Sequence, residues 1–428
     1  MVELKDRIML FTDNLKDVTF KGFTESNWHV IFKRLGIYKE CKKNEISYIQ
    51  YLKSLLRIFC VAFYGKEEPL QINKYGDKRI LLFQSFYSRQ GTVKQFEQVS
   101  KLSEGTSIRV IEKKEKLRLL DGLKYLTLYF PSWINRLCSL QLTYFEKITI
   151  LTNLYHLHLL DRKLNAVKLS DFRLLVTYYD SLVYDSFVTN KLRRLGLKTA
   201  TLEHGQFTAW RENVVENSGI ELRCFNSDYL LCWNNFTVEE AIKEGISRDK
   251  LIIVGILGNV GQNIVDCQRP SNKVFGVVIG HPMFDEENKK LIAAANILSE
   301  GINYNFCLKL HPLVKEDYFK DLVNDNCTGI VPRETSMSEY ASLVEFSLCG
   351  SSSVFVELVF RNHETIRYSC KDIKDKFRDI DIDKQFSKPE GVLEAYNSKA
   401  CSNSDLFDFL CTIKNVDYEY SKFFESFE

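Results

Sequence analysis

Short apolar segments alternate with amphipathic ones through the middle of the chain. Apolar runs of four or five residues predict buried strands, and apolar residues at helical spacing predict the helices between them. In chain order the pattern gives strand 174–178, helix 182–195, strand 199–202, strand 229–233, helix 238–244 and strand 251–254. Such alternation favours a parallel, doubly wound sheet.

Residues 259–272 interrupt this pattern and are rich in Gly, Asn, Gln, Arg and Pro, which is typical of a linker. The alternation then restarts with strand 274–279, helix 287–298, strand 306–310, helix 338–342, strand 344–348, helix 354–360 and strand 365–368. A chain of 428 residues is long enough for two domains. We therefore predict one α/β domain over 1–265 and a second over 273–400.

The two ends of the chain are predicted to be mostly helical. Residues 25–65 have apolar positions at helical spacing, and a strand, helix and strand follow at 80–83, 92–102 and 107–111. Residues 405–424 also have a helical pattern. We expect a helical extension before the first sheet and a C-terminal helix, within 401–428, that crosses back to the first domain.

Charge and cysteine usage narrow the possible partners and compartment. The 58 Lys and Arg nearly balance the 56 Asp and Glu, leaving a formal charge of +2, which argues against binding nucleic acid through a general basic field. The N-terminus lacks a signal-peptide pattern, and the 12 cysteines never form a CxxC pair. These features predict a cytoplasmic protein without a zinc site or disulfide framework.

Residues 119–160 are rich in leucine and aromatic residues, with Lys124, Arg136 and Lys147 between them. This composition is typical of a buried helical layer. The interleaved cations also suit a helix lying on an anionic membrane surface, which would place the protein at the inner face of the plasma membrane. The sequence is compatible with both a buried helical layer and a helix on a membrane surface.

Polar residues that could carry chemistry follow the predicted strands. Ligands of open parallel sheets bind beyond the carboxyl ends of the strands, where loops lead into helix N-termini. Four clusters occupy such positions, namely Glu203-His204-Gly205, Gly280-His281-Pro282, Lys309 to Pro312 and Gly350 to Ser353. This shared placement predicts binding sites at the sheet edges.

The serine run is a candidate phosphate site. Gly350 would let the chain turn tightly, and Ser351, Ser352 and Ser353 would then open a helix whose N–H groups and dipole favour an anion. Serine is also a common N-cap, so simple helix capping is the structural alternative. We predict that the run binds the phosphate of a nucleotide.

Two His-Pro pairs each follow a predicted strand. Pro312 keeps His311 out of helical geometry, which fixes its imidazole at the strand end beside Lys309. The pair His281-Pro282 repeats this arrangement after the first strand of the second domain. We expect both histidines and Lys309 to line a nucleotide site.

A possible catalytic base follows the strand predicted at 199–202. Glu203 or His204 could take the proton of a hydroxyl group, and Gly205 would allow the backbone to approach a ligand closely. The structural alternative is that Glu203 pairs with a basic neighbour such as Arg211. We predict catalysis by Glu203, assisted by His204.

Glu203-His204-Gly205, His311-Pro312 and Ser351-Ser352 occur in the order of a known set of motifs. Together they resemble the D/E-D/E-G, HP and SS motifs of GT-B glycosyltransferases of bacterial capsule and lipopolysaccharide synthesis, especially the sialyltransferase, polysialyltransferase and Kdo-transferase group. The resemblance implies an α/β GT-B fold of two Rossmann-like domains facing across a cleft. It further implies transfer from a CMP-linked sugar to a glycan or glycolipid without a metal or other cofactor.

His204 departs from the second acidic position of this pattern and is similar to the His-Gly pair of Kdo transferases and teichoic-acid polyol-phosphate transferases. Alternative functions are therefore a CDP-polyol phosphotransferase, a UDP-sugar transferase or epimerase, and a non-catalytic assembly scaffold. Arg211 is a candidate acceptor contact, Arg333 a donor contact and Glu357 a nucleotide contact. Asp379, Asp381 and Asp383 are interpreted as a solvated surface segment and not as metal ligands.

Overall fold

The structure is a computed structural model of the 428-residue chain. It describes residues 66–67, 70–85, 90–110, 115–116, 130–139, 144–208, 222, 225–257, 272–369, 384–398, 410, 413 and 415–428. The helical extension predicted for 25–65 therefore lies outside the described residues, as do Arg211 and the aspartates at 379, 381 and 383. The chain forms two compact units, one of residues 1–204, 223–231 and 420–428 and the other of residues 205–222 and 232–419.

Most strands of a seven-stranded sheet belong to the first unit, whereas its last strand, at residues 251–253, belongs to the second. The strands of this part of the chain are β1 (Lys66–Glu67), β2 (Leu70–Lys74), β3 (Ile80–Gln84), β4 (Thr106–Val110), β5 (Glu115–Lys116), β6 (Leu174–Thr177), β7 (Lys198–Leu202), β8 (Tyr229–Cys232) and β9 (Leu251–Ile253). Strands β1 and β5 form a separate two-stranded sheet. The order of the strands in the large sheet is β2-β4-β3-β6-β7-β8-β9. Within this order, the neighbouring strands β4, β3, β6, β7 and β8 run parallel to one another. Strand β2 lies at one edge and pairs antiparallel with β4.

The helices around this sheet connect its strands. They are α1 (Gln90–Leu102), α2 (Phe130–Cys138), α3 (Tyr144–Leu164), α4 (Val183–Arg194) and α5 (Asn235–Lys243). Asn234 caps α5, because its side chain accepts a hydrogen bond from the backbone N–H of Thr237 at 2.9 Å. The helix therefore begins three residues before the predicted start at 238.

Helix α3 buries much of its apolar surface. Ile150, Leu154, Leu157 and Leu164 are fully buried, and the helix contacts α4. This burial favours the buried-layer interpretation of 119–160, because apolar side chains inside the protein cannot also insert into lipid. Contact of this segment with a membrane surface stays a prediction. None of the helices in the described ranges is long and apolar enough to cross a membrane.

The second unit contains a sheet of six parallel strands. They are β10 (Val274–Ile279), β11 (Asn305–Leu310), β12 (Cys327–Ile330), β13 (Ser347–Cys349), β14 (Thr365–Tyr368) and β15 (Gln385–Phe386), in the order β12-β11-β10-β13-β14-β15. The accompanying helices are α6 (Asp285–Ile302), α7 (Met337–Leu343), α8 (Val354–Phe360), α9 (Val392–Asn397) and α10 (Val416–Glu425). Residues 420–428 at the end of α10 belong to the first unit, where Phe423 packs edge-on against Tyr229.

Alternate side chains of β10 enter two different apolar clusters. Phe275, Val277 and Ile279 pack with residues of α6 and α9, whereas Val278 packs with residues of α7 and α8. A strand buried on both faces is characteristic of a doubly wound sheet with helices on both sides. The predicted α/β fold class with two mainly parallel sheets is therefore confirmed. The predicted arrangement across a cleft stays a prediction.

Candidate functional site

Three turns follow the carboxyl ends of adjacent strands in the second unit. Strand β10 lies between β11 and β13, and all three run parallel. Ile279 is paired with Leu310, so β10 and β11 end level with each other. Three of the predicted clusters, after β10, β11 and β13, are thus brought to one edge of one sheet, as the sequence predicted.

His281 and His311 form an edge-to-face pair at this edge. Their ring centroids are 5.0 Å apart with an interplanar angle of 71°. The backbone N–H of His311 donates to the carbonyl of Ile279 at 3.1 Å, which continues the strand pairing one residue beyond β11. Both side chains are partly exposed. The two imidazoles are therefore held together where a ligand could reach them.

The protonation pattern of His311 follows from one hydrogen bond. The backbone N–H of Leu313 donates to Nδ1 of His311 at 3.2 Å. An Nδ1 atom that accepts a hydrogen bond carries no proton, so a neutral imidazole has its proton on Nε2. His311 is therefore set up as a hydrogen-bond donor through Nε2, which suits a phosphate or sugar oxygen.

The turn that carries His281 is fixed by Asn288 of α6. The Asn288 side chain accepts from the backbone N–H of Gly280 at 2.8 Å and donates to the Gly280 carbonyl at 3.3 Å and the His281 carbonyl at 3.4 Å. Asn288 is completely buried. A buried amide that satisfies three backbone contacts holds the turn rigidly.

The serine run is divided by burial. Ser351 is buried, and both its N–H and its hydroxyl donate to the carboxylate of Glu287, at 2.8 Å and 3.1 Å. Ser352 and Ser353 are partly exposed. The hydroxyl of Ser352 also accepts from the backbone N–H of Val354 at 3.3 Å, whereas Ser353, the residue at the N-cap of α8, makes no side-chain capping hydrogen bond.

Gly350 lies against the side chain of Glu287. Its φ is not among the positive values in the structure. A Cβ atom built at this position would lie 1.9 Å from Oε1 of Glu287, which is too close for two non-bonded atoms. The glycine thus leaves room for a carboxylate, and its role in a tight turn stays a prediction.

Lys309 holds the loop that follows β12, and Arg333 of that loop binds the loop that follows β11. The Lys309 ammonium donates to the carbonyls of Pro332 and Thr335 at 2.7 and 2.9 Å and approaches that of Arg333 at 3.3 Å. Arg333 donates in turn to the carbonyls of Pro312 and Val314 at 3.0 and 2.8 Å. These contacts favour a loop-holding role for both cations, whereas their predicted nucleotide and donor contacts stay predictions.

Burial lowers the pKa of Lys309 below its ordinary value, although Glu334 and Glu339 oppose the shift. Glu357 lies in α8 within 3.9 Å of Arg361. Burial raises the pKa of Glu357, and Arg361 counteracts part of that effect. Its predicted nucleotide contact stays a prediction.

In the first unit, Glu203 and His204 follow β7. Glu203 is completely buried, and its backbone N–H donates to the Leu231 carbonyl at 3.1 Å. His204 is partly exposed, and its ring lies 3.8 Å from the ring of Tyr179, centroid to centroid. Since a base must touch the hydroxyl that it deprotonates, this difference in exposure favours His204 over Glu203 as the proton acceptor.

The loop after β6 and the first turn of α4 each carry an acid that the sequence analysis did not single out. Asp180 is buried and accepts from the backbone N–H groups of Asn226 and Ser227 at 3.0 and 2.8 Å and from the Ser227 hydroxyl at 2.7 Å. Asp185, in the first turn of α4, is completely buried. Two aspartates directly after an apolar strand were a usable signal that was missed.

Asp185 belongs to a group of buried polar side chains. Burial raises its pKa to about 7, although the nearby Ser85 hydroxyl and the backbone N–H groups of Tyr179 and Ser85 partly counteract this. No hydrogen bond of ordinary geometry reaches its carboxylate oxygens in the part of the chain that the structure describes. The same holds for the side chains of Gln84, Ser181, Ser186 and Thr189.

No protein-family model and no curated protein sequence matches the chain. The specific resemblance to sialyltransferases and Kdo transferases therefore rests on the three short motifs alone. Several solved structures are similar in fold. The UDP-N-acetylglucosamine 2-epimerase of Rickettsia bellii has a TM-score of 0.47 and 16% identity over 82% of this chain and 96% of that chain.

The UDP-GlcNAc 2-epimerase of Methanocaldococcus jannaschii, in complex with UDP-GlcNAc and UDP, has a TM-score of 0.48 and 12% identity over 81% of this chain and 98% of that chain. TarM has a TM-score of 0.39 and 13% identity, over 63% of this chain and 54% of its own. Similarities of this degree do not carry an activity from one protein to another.

Proposed function

We propose that this protein is an enzyme that binds a nucleotide-sugar, with the nucleotide held at the carboxyl edge of the second unit's sheet. The observation that carries the proposal is the pair of imidazoles, His281 and His311, at the ends of two adjacent parallel strands. This is the edge at which open α/β sheets bind nucleotides. The Nε2–H of His311 and the partly exposed hydroxyls of Ser352 and Ser353 supply donors for phosphate or ribose oxygens.

The reaction that these groups suit is sugar transfer. His204 would accept the proton of an acceptor hydroxyl while that oxygen attacks the anomeric carbon of the sugar. The bond from the anomeric carbon to the phosphate oxygen breaks, and the nucleotide leaves with the bonding electron pair. Donors such as His311 would stabilise the negative charge that develops on the departing phosphate, as fixed donors do in other transfer reactions.

The identity of the nucleotide decides between finer alternatives. The motif resemblance implies a CMP-linked sialic acid or Kdo-type donor, and a polyol phosphate on CDP is the alternative that His204 introduces. A UDP-sugar is the remaining alternative. The Methanocaldococcus jannaschii structure is a complex with UDP-GlcNAc and UDP, so UDP is included among the probes.

A thermal-shift screen with UDP, CMP, CDP and GDP tests the binding step. A nucleotide that binds the folded state raises the melting temperature, by an amount that grows with the ratio of concentration to Kd. We expect one nucleotide to raise it clearly above the others. The absence of a shift with all four would contradict the proposal and favour a non-catalytic scaffold.

Mass analysis after incubation with the matching nucleotide-sugar tests the reaction. Sugar transfer requires an acceptor and releases free nucleotide, and we expect His204→Ala to reduce that release by at least about a hundredfold. Polyol-phosphate transfer adds a phosphorus atom to the acceptor. Epimerisation needs no acceptor and leaves the mass of the nucleotide-sugar unchanged, so it is followed by proton NMR; conversion to an epimer without an acceptor would replace transfer as the reaction.

A further inference from the structure

Two adjacent residues of α6 hold two of the three turns at the edge of the second sheet. Glu287 binds Ser351, which lies 64 residues further along the chain, through both the N–H and the hydroxyl. Asn288 binds Gly280 and the carbonyl of His281. The first turn of one helix thus sets the position of both the serine turn and the His281 turn.

The contact with Glu287 changes which serines face a ligand. Both donors of Ser351 point at a carboxylate within the protein, and its side chain is buried. Ser352 and Ser353 are the members of the run with exposed surface. Glu287 therefore fixes Ser351, the first serine of the turn, whereas Ser352 and Ser353 stay partly exposed to solvent.

The chain at Gly350 is shaped around the same carboxylate. A methyl group there would lie 1.9 Å from Oε1 and 2.8 Å from Cδ of Glu287. A side chain at position 350 would therefore have to displace the Glu287 carboxylate from its observed place. This dependence gives the contact a signature that can be measured.

A carboxylate near a phosphate site is unfavourable on electrostatic grounds, since like charges repel. Its presence here needs a geometric reason, and charge-assisted hydrogen bonds to one residue supply one, because they are among the strongest in proteins. We infer that Glu287, together with Asn288, is a positioning residue for the nucleotide, acting through Ser351 and through the Gly280-His281 turn. This inference rests on the proposed function.

Calorimetric titration with whichever nucleotide wild type binds tests the role of Glu287. We expect Glu287→Ala to raise the Kd by about tenfold or more, since two charge-assisted hydrogen bonds are lost. Glu287→Gln keeps one acceptor oxygen for Ser351, so its Kd should lie between those of wild type and Glu287→Ala. The matched control is Glu286→Gln in the same helical turn, where the carboxylate is exposed and paired with Lys289; its Kd should stay within about twofold of wild type.

Affinity that is unchanged or improved in Glu287→Ala would overturn the inference, because Glu287 would then act only as an opposing charge. A wild-type protein that binds no nucleotide would instead overturn the proposed function. The two failures are thus distinguishable.

A double-mutant cycle with Gly350→Ala tests whether the effect passes through the turn. The single variant Gly350→Ala should raise the Kd about as much as Glu287→Ala does, whereas adding it to Glu287→Ala should change the Kd by less than about threefold. Melting temperatures of the same four proteins provide a second cycle that needs no nucleotide. Additive effects in both cycles would contradict the coupling.

Ser351→Ala provides a variant in case Glu287→Ala does not fold. It removes one of the two hydrogen bonds to Glu287 and should raise the Kd by about threefold to tenfold. A direct ligand contact predicts that Ser351→Ala weakens binding equally in the Glu287→Gln background. Positioning predicts a smaller effect there, and equal effects would contradict it.

Discussion

Polar side chains at the edge of the second sheet and those near the start of α4 differ in their hydrogen bonding. At the edge of the second sheet, polar side chains such as Glu287, Asn288 and Lys309 donate to or accept from the backbone of a neighbouring turn. In the first unit, the N-terminal part of α4 buries Asp185 and Ser186 without hydrogen bonds of ordinary geometry among the described residues. The first arrangement fixes the positions of the turns. The second buries a carboxyl group, that of Asp185, whose pKa is raised to about 7.

This difference indicates a division of tasks. Fixed donors lower the cost of binding because the protein does not have to order them when the ligand arrives. A buried carboxyl with a pKa near neutrality changes charge within the physiological range and makes its surroundings sensitive to pH. Each of the following predictions separates the two regions, beginning with the largest expected effect.

Replacing Asp185 should give the largest change in stability. Burial raises the pKa of Asp185 from 3.8 to about 7. Between these values the folded protein binds more protons than the unfolded chain, so the free energy of unfolding falls as pH rises from about 4 to about 7. Asp185→Asn removes this loss and should be more stable than wild type at pH 8 by a few kcal/mol, at about 1.4 kcal/mol per pKa unit.

Urea unfolding of wild type and Asp185→Asn at pH 5 and pH 8 measures this effect. The matched control is Asp180→Asn, which should be less stable than wild type at pH 8 because a neutral amide oxygen replaces the charged oxygen that accepts three hydrogen bonds. If Asp185→Asn lost stability at pH 8 as Asp180→Asn does, the carboxyl of Asp185 would be ionised and well satisfied.

Lys309→Met should give the next largest effect, now in the second unit. The variant keeps the length of the side chain but leaves the carbonyls of Pro332 and Thr335 without the ammonium. We expect a loss of about 2–3 kcal/mol of unfolding free energy in urea titrations. Lys315→Met, at an exposed position of the loop that follows β11, should change stability by less than about 0.5 kcal/mol. Equal losses in the two variants would show that the Lys309 contacts contribute nothing.

Asn288→Ala should have a smaller effect on stability and a clear one on binding. Loss of its hydrogen bonds to Gly280 and His281 should cost about 1–2 kcal/mol and raise the Kd for nucleotide about tenfold. Asn296→Ala is a control further along α6, where the side chain binds Leu322 and Asn324 away from these turns. It should lose stability without loss of affinity, and a parallel loss of affinity would mean that Asn288 acts only through general stability.

The regular elements of the second unit could be predicted because their physical signals are local. Strand β10, helix α8 and strand β14 have the predicted bounds, since each is an apolar run with a clear turn before it. Helix α6 begins at Asp285, two residues before the prediction, because acidic residues stabilise a first turn. Strand β12 was missed because three of its four residues are exposed at an edge of the sheet.

The meeting of His281 and His311 could also be predicted, because parallel neighbouring strands bring their carboxyl ends to one edge. The contacts that hold the turns could not. Glu287 occurs in an acidic run that suits any helix start, and its contact with Ser351 is set by tertiary packing over 64 residues. The burial of Asp185 depends in the same way on packing around α4, which a single sequence does not specify.

The central claim is that His311 presents an Nε2–H donor to a bound nucleotide. His311→Asn tests it most directly, because the asparagine oxygen can replace Nδ1 as the acceptor for the Leu313 N–H while no donor remains at the place of Nε2. Calorimetric titration should show one nucleotide binding to wild type and about tenfold weaker binding to His311→Asn, with nearly unchanged stability in urea. Equal affinity of the two proteins, or no nucleotide binding by wild type, would contradict the claim.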